Sequence, residues 1–231
     1  METNLKQAAA ARALEWVTSG MVLGLGSGST SAYFIDLLGE RLQSGQLSRI
    51  QAVPTSEATA QRALTLGIPL TTLAEHPRLD LAVDGADEVS PELDLIKGLG
   101  GALLREKIVE IHAATLLIIV DGSKLVTRLG THGPLPVEIV PYEAQAHLHW
   151  LNTLGCHAEL WLKADGSPIV TDNSNYLASC WFEGGIDDPY SLARRLADRP
   201  GIVEHGLFLG MASQVIAASP QGIQTFSRQI P

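Results

Sequence analysis

The sequence predicts an α/β protein, in which a doubly wound domain with a mostly parallel sheet is joined by a smaller α+β domain of ferredoxin-like (βαββαβ) order. Three observations carry that prediction. From Met21 to Val120, short apolar runs alternate with helical stripes, the rhythm of parallel strands joined by crossover helices. At Gly133-Pro134-Leu135-Pro136 two prolines and a glycine interrupt regular structure. Beyond that break the order becomes strand, helix, strand, strand, helix, strand.

Each element follows from local composition. Ala8 to Val17 has helix formers at helical spacing, and Thr18-Ser19-Gly20 stops it. Met21 to Leu25 reads as a strand, Gly26-Ser27-Gly28-Ser29-Thr30 as a loop, and Ala32 to Leu42 as a helix with Phe34, Ile35, Leu37 and Leu38 on one stripe. The pattern repeats with Ile50 to Val53, Glu57 to Leu66, Leu79 to Val83, Arg105 to Ala113 and Leu116 to Val120. After the break, Val137 to Val140 is a strand, Glu143 to Leu154 a helix and His157 to Leu162 a strand. An interrupted strand covers Ile169 to Phe182, a helix Asp188 to Asp198, and a strand Ile202 to Leu207. Ala212 to Ala218 is helical in composition and returns, with a short strand, to the first domain. The expected division is therefore 1–132 with 207–231 as the Rossmann-like domain and 133–206 as the ferredoxin-like one, the latter with a role in oligomer formation.

Composition narrows the function. A chain of 231 residues with 45% hydrophobic content can bury a full core. Its longest apolar run falls far short of the roughly 20 residues that span a bilayer, and Met1 to Arg12 lacks the long apolar stretch of a secretory signal. A cytoplasmic protein with no membrane partner is expected. The net charge of −9 argues against a nucleic-acid partner. Cys156 and Cys180 form no Cys-x-x-Cys pair and read as buried small hydrophobes. No metal-ligand spacing is visible among the histidines.

Any anionic ligand must then be met locally. Gly26-Ser27-Gly28-Ser29-Thr30 lacks both the last glycine of the dinucleotide fingerprint and the Gly-Lys-Ser/Thr of a Walker loop. What survives is a loop of backbone N–H groups and hydroxyls opening a helix, suited to a phosphate monoester or, equally, an ordinary capped turn. Asp84-Gly85-Ala86-Asp87-Glu88 follows a buried apolar run, which aims the aspartates out of the strand's C-terminal end, where open α/β sheets bind ligands. Asp84 and Asp87 are open to three readings: a metal pair, an acid/base pair, or the polar end of a strand. Lys97, among Gly98, Leu99, Gly100 and Gly101, could stabilise a developing oxyanion. Glu106 is either a dipole-complementing acid at a helix start or a general base. Lys124, in Asp121-Gly122-Ser123-Lys124, should share the sheet edge of the other motifs, and Lys6 is a further cation near the Gly-rich loops.

These motifs, in this order, resemble the type A ribose-5-phosphate isomerase family: G-S-G-S-T at 26, D-G-A-D-E at 84, K-G-L-G-G-A-L-L-R-E-K at 97 and D-G-S-K at 121. P-L-P-V-E at 134 and V-T-D-N-S-N at 170 extend the resemblance over nearly the whole chain. The resemblance implies an aldose–ketose isomerase of the non-oxidative pentose phosphate pathway that interconverts D-ribose 5-phosphate and D-ribulose 5-phosphate without metal or organic cofactor. A homo-oligomer, a dimer or tetramer, is expected because the small second domain with exposed sheet edges offers a pairing surface. It implies that Glu106 moves the proton between C2 and C1 through an enediolate, that Lys97 stabilises the enediolate oxygen and that Asp84 opens the furanose ring. Asp87 would hold substrate hydroxyls. Gly85, Ala86, Gly98, Leu99 and Gly100 flank these groups in the ligand site, while Ser27, Gly28, Ser29 and Thr30 form the ligand loop, with Lys124 and Lys6 as cations for the phosphate.

The chain also departs from the family pattern. It has Leu99 for a glycine, Gly101 for an alanine and Leu104 for a threonine, and a side chain at Leu99 restricts a loop that could need positive φ. That leaves an isomerase for another pentose or hexose phosphate as a rival. A second rival, a non-catalytic sugar-phosphate sensor, would carry a DNA-binding segment, yet the first Gly-rich strand already begins by Met21.

Overall fold

A computed structural model describes residues 4–228. The chain divides into two compact units. One comprises the residues up to Ala86, Arg105–Lys124 and Gly210 onward; the other comprises Asp87–Leu104 and Leu125–Leu209.

In the first unit, α1 (Leu5–Leu14) leads into β1 (Val22–Leu25), α2 (Ser29–Gln43), β2 (Gln51–Pro54), α3 (Glu57–Thr65) and β3 (Leu81–Asp84). The chain returns with α4 (Leu103–Glu110), β6 (Leu116–Asp121), a 3₁₀ turn over Gly122–Lys124, β12 (Gln214–Ser219) and β13 (Gly222–Ser227). The strands form one sheet in the order β13-β12-β6-β3-β1-β2, parallel except for the edge hairpin β12–β13. Their apolar runs are continuous because both faces of a parallel sheet are covered. Leu117, Ile119 and Ile216 pack with Leu23, Leu25, Phe34 and Ile35 in one core.

Ala212 to Ala218, expected as a helix, is instead largely β12. Composition misleads here, because Val215 to Ala218 run parallel to Ile118 through Asp121 of β6, and burial on both faces outweighs alanine's helical preference.

In the second unit, β7 (Leu135–Ile139), α5 (Ala144–Asn152), β8 (His157–Leu160), β9 (Tyr176–Trp181), α6 (Pro189–Ala197) and β10 (Ile202–His205) make an antiparallel sheet in the order β10-β7-β9-β8. That is the split βαβ arrangement expected. The interrupted strand at 169–182 resolves into β9 and a turn, in which Thr171 and the amides of Asn173 and Asn175 bond the fully buried Glu138 Oε1. Cys156 and Cys180 are buried in this core. The Cys180 thiol donates to Cys156, which lowers the Cys156 pKa and, together with burial, raises that of Cys180.

The boundary at 132/133 needs revision. Residues 87–104 belong with the second unit because β4 (Glu88–Val89), β5 (Leu95–Ile96) and β11 (Leu207–Phe208) form a small antiparallel sheet. Val126 joins it through an N–H donated to the Val89 carbonyl. Two-residue strands carry too little periodicity to be read from sequence. None of the helices in the described residues is long and apolar enough to cross a membrane.

Candidate active site

The first unit's strand order reverses direction at β1, which has β2 on one side and β3 on the other. At such a switch point the two adjoining crossovers leave in opposite directions and open a crevice beyond the strands' C-terminal ends. Three of the expected motifs end there. The Gly-rich loop leaves β1, Asp84 closes β3, and Lys124 ends the turn that follows β6, the neighbour of β3.

Asp84 is buried and ties the crevice together. Its Oδ1 accepts the backbone N–H groups of Ser27 at 3.0 Å and Gly85 at 2.7 Å, and the Ser31 hydroxyl at 2.8 Å. Charge-assisted bonds of this kind are the strong ones. The approach demands glycine at 26, where a Cβ would stand 2.0 Å from Asp84 Oδ1. Gly85 and Ala86 continue the strand end, both half-buried.

The Ser27 hydroxyl turns away into a cluster with Thr55, Ser56 and Thr59, at 2.7 to 3.1 Å. Thr59 in turn donates to the Gly26 carbonyl, so the hydroxyls brace the loop from behind. Ser31, Thr55, Ser56 and Thr59 were not legible in the sequence, since lone serines and threonines in helices and turns carry no distinguishing pattern.

Gly28 at φ +92° opens α2 with no side-chain cap. The first N–H groups of a 15-residue helix are therefore left to whatever binds there. Ser29 and Gly28 are exposed, and Lys6 on α1 reaches over so that its Nζ donates to Ser29 Oγ at 2.8 Å. Residues 23 positions apart in sequence thus join a cation to a helix N-terminus. Thr30 is half-buried in the first turn of α2.

Glu106 lies in the first turn of α4 and is 5% exposed. Val109, one turn on and on the same face, packs against β1, where a Cβ on Gly24 would lie 2.9 Å from its Cγ1. Glu106 therefore sits on the sheet side of α4, away from the solvent face that a merely dipole-complementing acid would take.

In the second unit, Asp87 Oδ2 accepts the Leu99 N–H at 2.9 Å, and Lys97 is buried with its ammonium 5.2 Å from the centre of the Phe208 ring. A cation over an aromatic face is attracted electrostatically by the ring. The Lys97 N–H donates to the Gly206 carbonyl, and the close approach requires Gly206, whose Cβ would meet Lys97 O at 2.2 Å. Left-handed backbone falls at Gly98 (φ +111°) and Gly101 (φ +82°), not at Leu99. Leu99 thus occupies the loop without strain, and Gly100 is exposed at its tip.

Among the described residues no group of three or more His, Cys, Asp or Glu could hold a metal ion. A cavity of about 290 Å³ in the second unit, lined in part by Leu154, Phe182, Asp188 and Arg195, holds none of the expected site residues.

Comparison with known proteins shows the family. The family profile described as ribose 5-phosphate isomerase A (phosphoriboisomerase A) matches residues 51–222. A ribose-5-phosphate isomerase A of Synechococcus sp. (strain JA-3-3Ab) is 54% identical over 222 residues, 96% of each chain. A probable chloroplastic ribose-5-phosphate isomerase 3 of Arabidopsis thaliana is 47% identical over 98% of this chain and 84% of its own. A D-ribose-5-phosphate isomerase solved in complex with phospho-erythronic acid superposes with a TM-score of 0.94 at 41% identity, covering 97% of this chain and 98% of that one. The Plasmodium falciparum ribose 5-phosphate isomerase does so with a TM-score of 0.94 at 37% identity, over 98% and 99% of the two chains.

Proposed function

The chain belongs to the ribose 5-phosphate isomerase A family, and from that premise we propose how its own residues interconvert D-ribose 5-phosphate and D-ribulose 5-phosphate. It is an aldose–ketose isomerase: the net change is one proton moved between C2 and C1 and one between the two oxygens.

Glu106 takes the C2 proton of the open-chain aldose and returns it to C1. A carboxylate held inside the protein keeps that proton from exchanging freely with water and acts at a fixed position. The enediolate formed between the two transfers carries negative charge on oxygen. Lys97, a fixed ammonium that needs no reorganisation when this charge appears, stabilises it. Asp84 assists opening of the furanose ring, and Asp87, at the start of the loop that carries Lys97, holds substrate hydroxyls. The α2 N-terminus with Gly28, Ser29, Thr30 and Lys6 takes the phosphate, and Lys124 adds a second cation at the same sheet edge. The single observation that carries this reading is the crevice at the β1/β3 switch point, where an uncapped helix N-terminus with Lys6 stands beside the loop anchored by Asp84.

We also assign the chain a cytoplasmic location and a homo-oligomeric state, the latter supported by apolar side chains left exposed on the second unit, Leu162, Val170 and Trp181 among them.

The test is ribulose 5-phosphate formation from ribose 5-phosphate by the purified protein with a chelator present, Glu106→Gln serving as control. The expected result is metal-independent turnover that the substitution lowers by about 10² to 10⁴. Near-normal turnover by the variant would remove Glu106 from its role, and sugar-phosphate binding without turnover by the wild type would point to a sensor.

A further inference from the structure

Glu88, the last residue of the D-G-A-D-E motif, has no part in the chemistry above, yet its carboxylate is 1% exposed and fully engaged. Its Oε2 accepts the N–H of Gly130 at 2.5 Å, and its Oε1 accepts those of His132 at 2.7 Å and Gly133 at 3.0 Å. Three converging amides make a concave donor site for an anion, and here a side chain 42 to 45 residues earlier fills it. The segment so gathered lies between the Asp121-Gly122-Ser123-Lys124 motif and β7, where it has no strand or helix of its own to fix it.

What this strap touches gives it a purpose. Gly133 lies against Leu99, whose Cδ1 would be 3.8 Å from a Cβ there. Leu99 is in turn bonded through its N–H to Asp87, the residue before Glu88. On the other side of the same short hairpin, Glu88 pairs with Ile96, one residue before Lys97. Glu88 therefore holds both ends of the loop that presents Lys97: its backbone fixes the start through β5, and its carboxylate fixes the strap on which Leu99 rests. All of these residues lie within one compact unit.

We propose that Glu88 is a positioning residue for the isomerisation, holding the 130–133 strap against Leu99 and thereby fixing the Lys97 ammonium where the enediolate oxygen develops. The inference rests on the role given to Lys97 above. It adds a residue that never touches the substrate, and it accounts for the leucine at 99: a side chain there turns the strap into a support that a glycine could not rest on.

Glu88→Gln tests it. The amide keeps the size of the side chain but replaces one acceptor oxygen with a donor aimed at backbone N–H groups. The control is Glu138→Gln, an equally buried carboxylate of the same unit whose Oε1 accepts from Thr171, Asn173 and Asn175 in the turn before β9, away from the 130–133 strap. Steady-state ribose 5-phosphate kinetics would be measured for both variants and the wild type, at a temperature where circular dichroism reports full folding. Displacing a catalytic group by about 1 Å lowers turnover by up to ~10². The expected result for Glu88→Gln is therefore a kcat at least tenfold down with KM within threefold, while Glu138→Gln keeps kcat within twofold. Wild-type kcat in Glu88→Gln, or an equal fall in both variants, would overturn the inference. Should Glu88→Gln not fold, Gly133→Pro, which deletes one of the three donors and leaves Glu88 in place, is held to the same kcat and KM outcomes. A wild-type chain with no turnover would remove premise and inference together, whereas an active wild type with an unaffected variant removes only the inference.

Discussion

Asp84 can hold the Gly-rich loop only because residue 26 has no side chain. A Cβ on Gly26 would overlap the Asp84 carboxylate outright, at 2.0 Å from Oδ1, and the three donors on that oxygen would have to be given up together. Gly26→Ala should therefore lower stability by about 1–3 kcal/mol, the range for overpacking a well-filled site. Activity should fall further than stability accounts for, because the ligand loop moves with Asp84. Thermal denaturation alongside turnover would check this, and an unchanged melting temperature would contradict the steric argument. The aspartate and the glycine loop were each legible in the sequence as chemistry-bearing residues. Their mutual dependence was not, since nothing in a string of residues reveals that positions 26 and 84 meet. The same holds for Ser31, Thr55, Ser56 and Thr59, whose hydroxyls gain a role only from what tertiary packing places beside them.

At the scale of elements, α1 and α2 cooperate. The open N-terminus of α2 supplies unpaired N–H groups and a positive dipole end, and α1 delivers Lys6 to it. Lys6→Gln should raise KM for ribose 5-phosphate roughly tenfold, the 1–2 kcal/mol scale of one charge-assisted contact, with kcat changed much less. An unaltered KM would take Lys6 out of the phosphate site. Strand β12 makes the opposite point about legibility. Its alanines read as helix, yet Val215, Ile216, Ala217 and Ala218 are all buried between two neighbouring strands. Ile216→Ala should destabilise the protein by about 2–5 kcal/mol in denaturant unfolding, as expected for a fully buried core isoleucine. A loss under 1 kcal/mol would mean that the strand is peripheral.

Over the whole molecule, the chain leaves its first unit after Ala86 and returns at Arg105, then leaves again after Lys124 and returns at Gly210. Charged motifs fall at the first three of these passages, which is why the expected boundary near 132 was late: the stretch 87–104 is polar, and its two-residue strands β4 and β5, which pair with each other and with β11 from over a hundred residues later, carry too little periodicity to be read. The exposed Leu162, Val170 and Trp181 on the second unit support assembly with further copies. Light scattering at micromolar concentration should report a dimer or larger, and a monomer across that range would refute it. The alternation of strand and helix, the ferredoxin-like order after residue 134 and the identity of the charged motifs were readable from the residues alone, because periodicity and residue chemistry are local properties. Tertiary structure alone decided that Ala212 to Ala218 extends as strand, that Lys6 meets Ser29, and that Glu88 gathers the amides of 130–133. Each of those depends on contacts between segments far apart in the chain, where burial and hydrogen-bond satisfaction outweigh local preference.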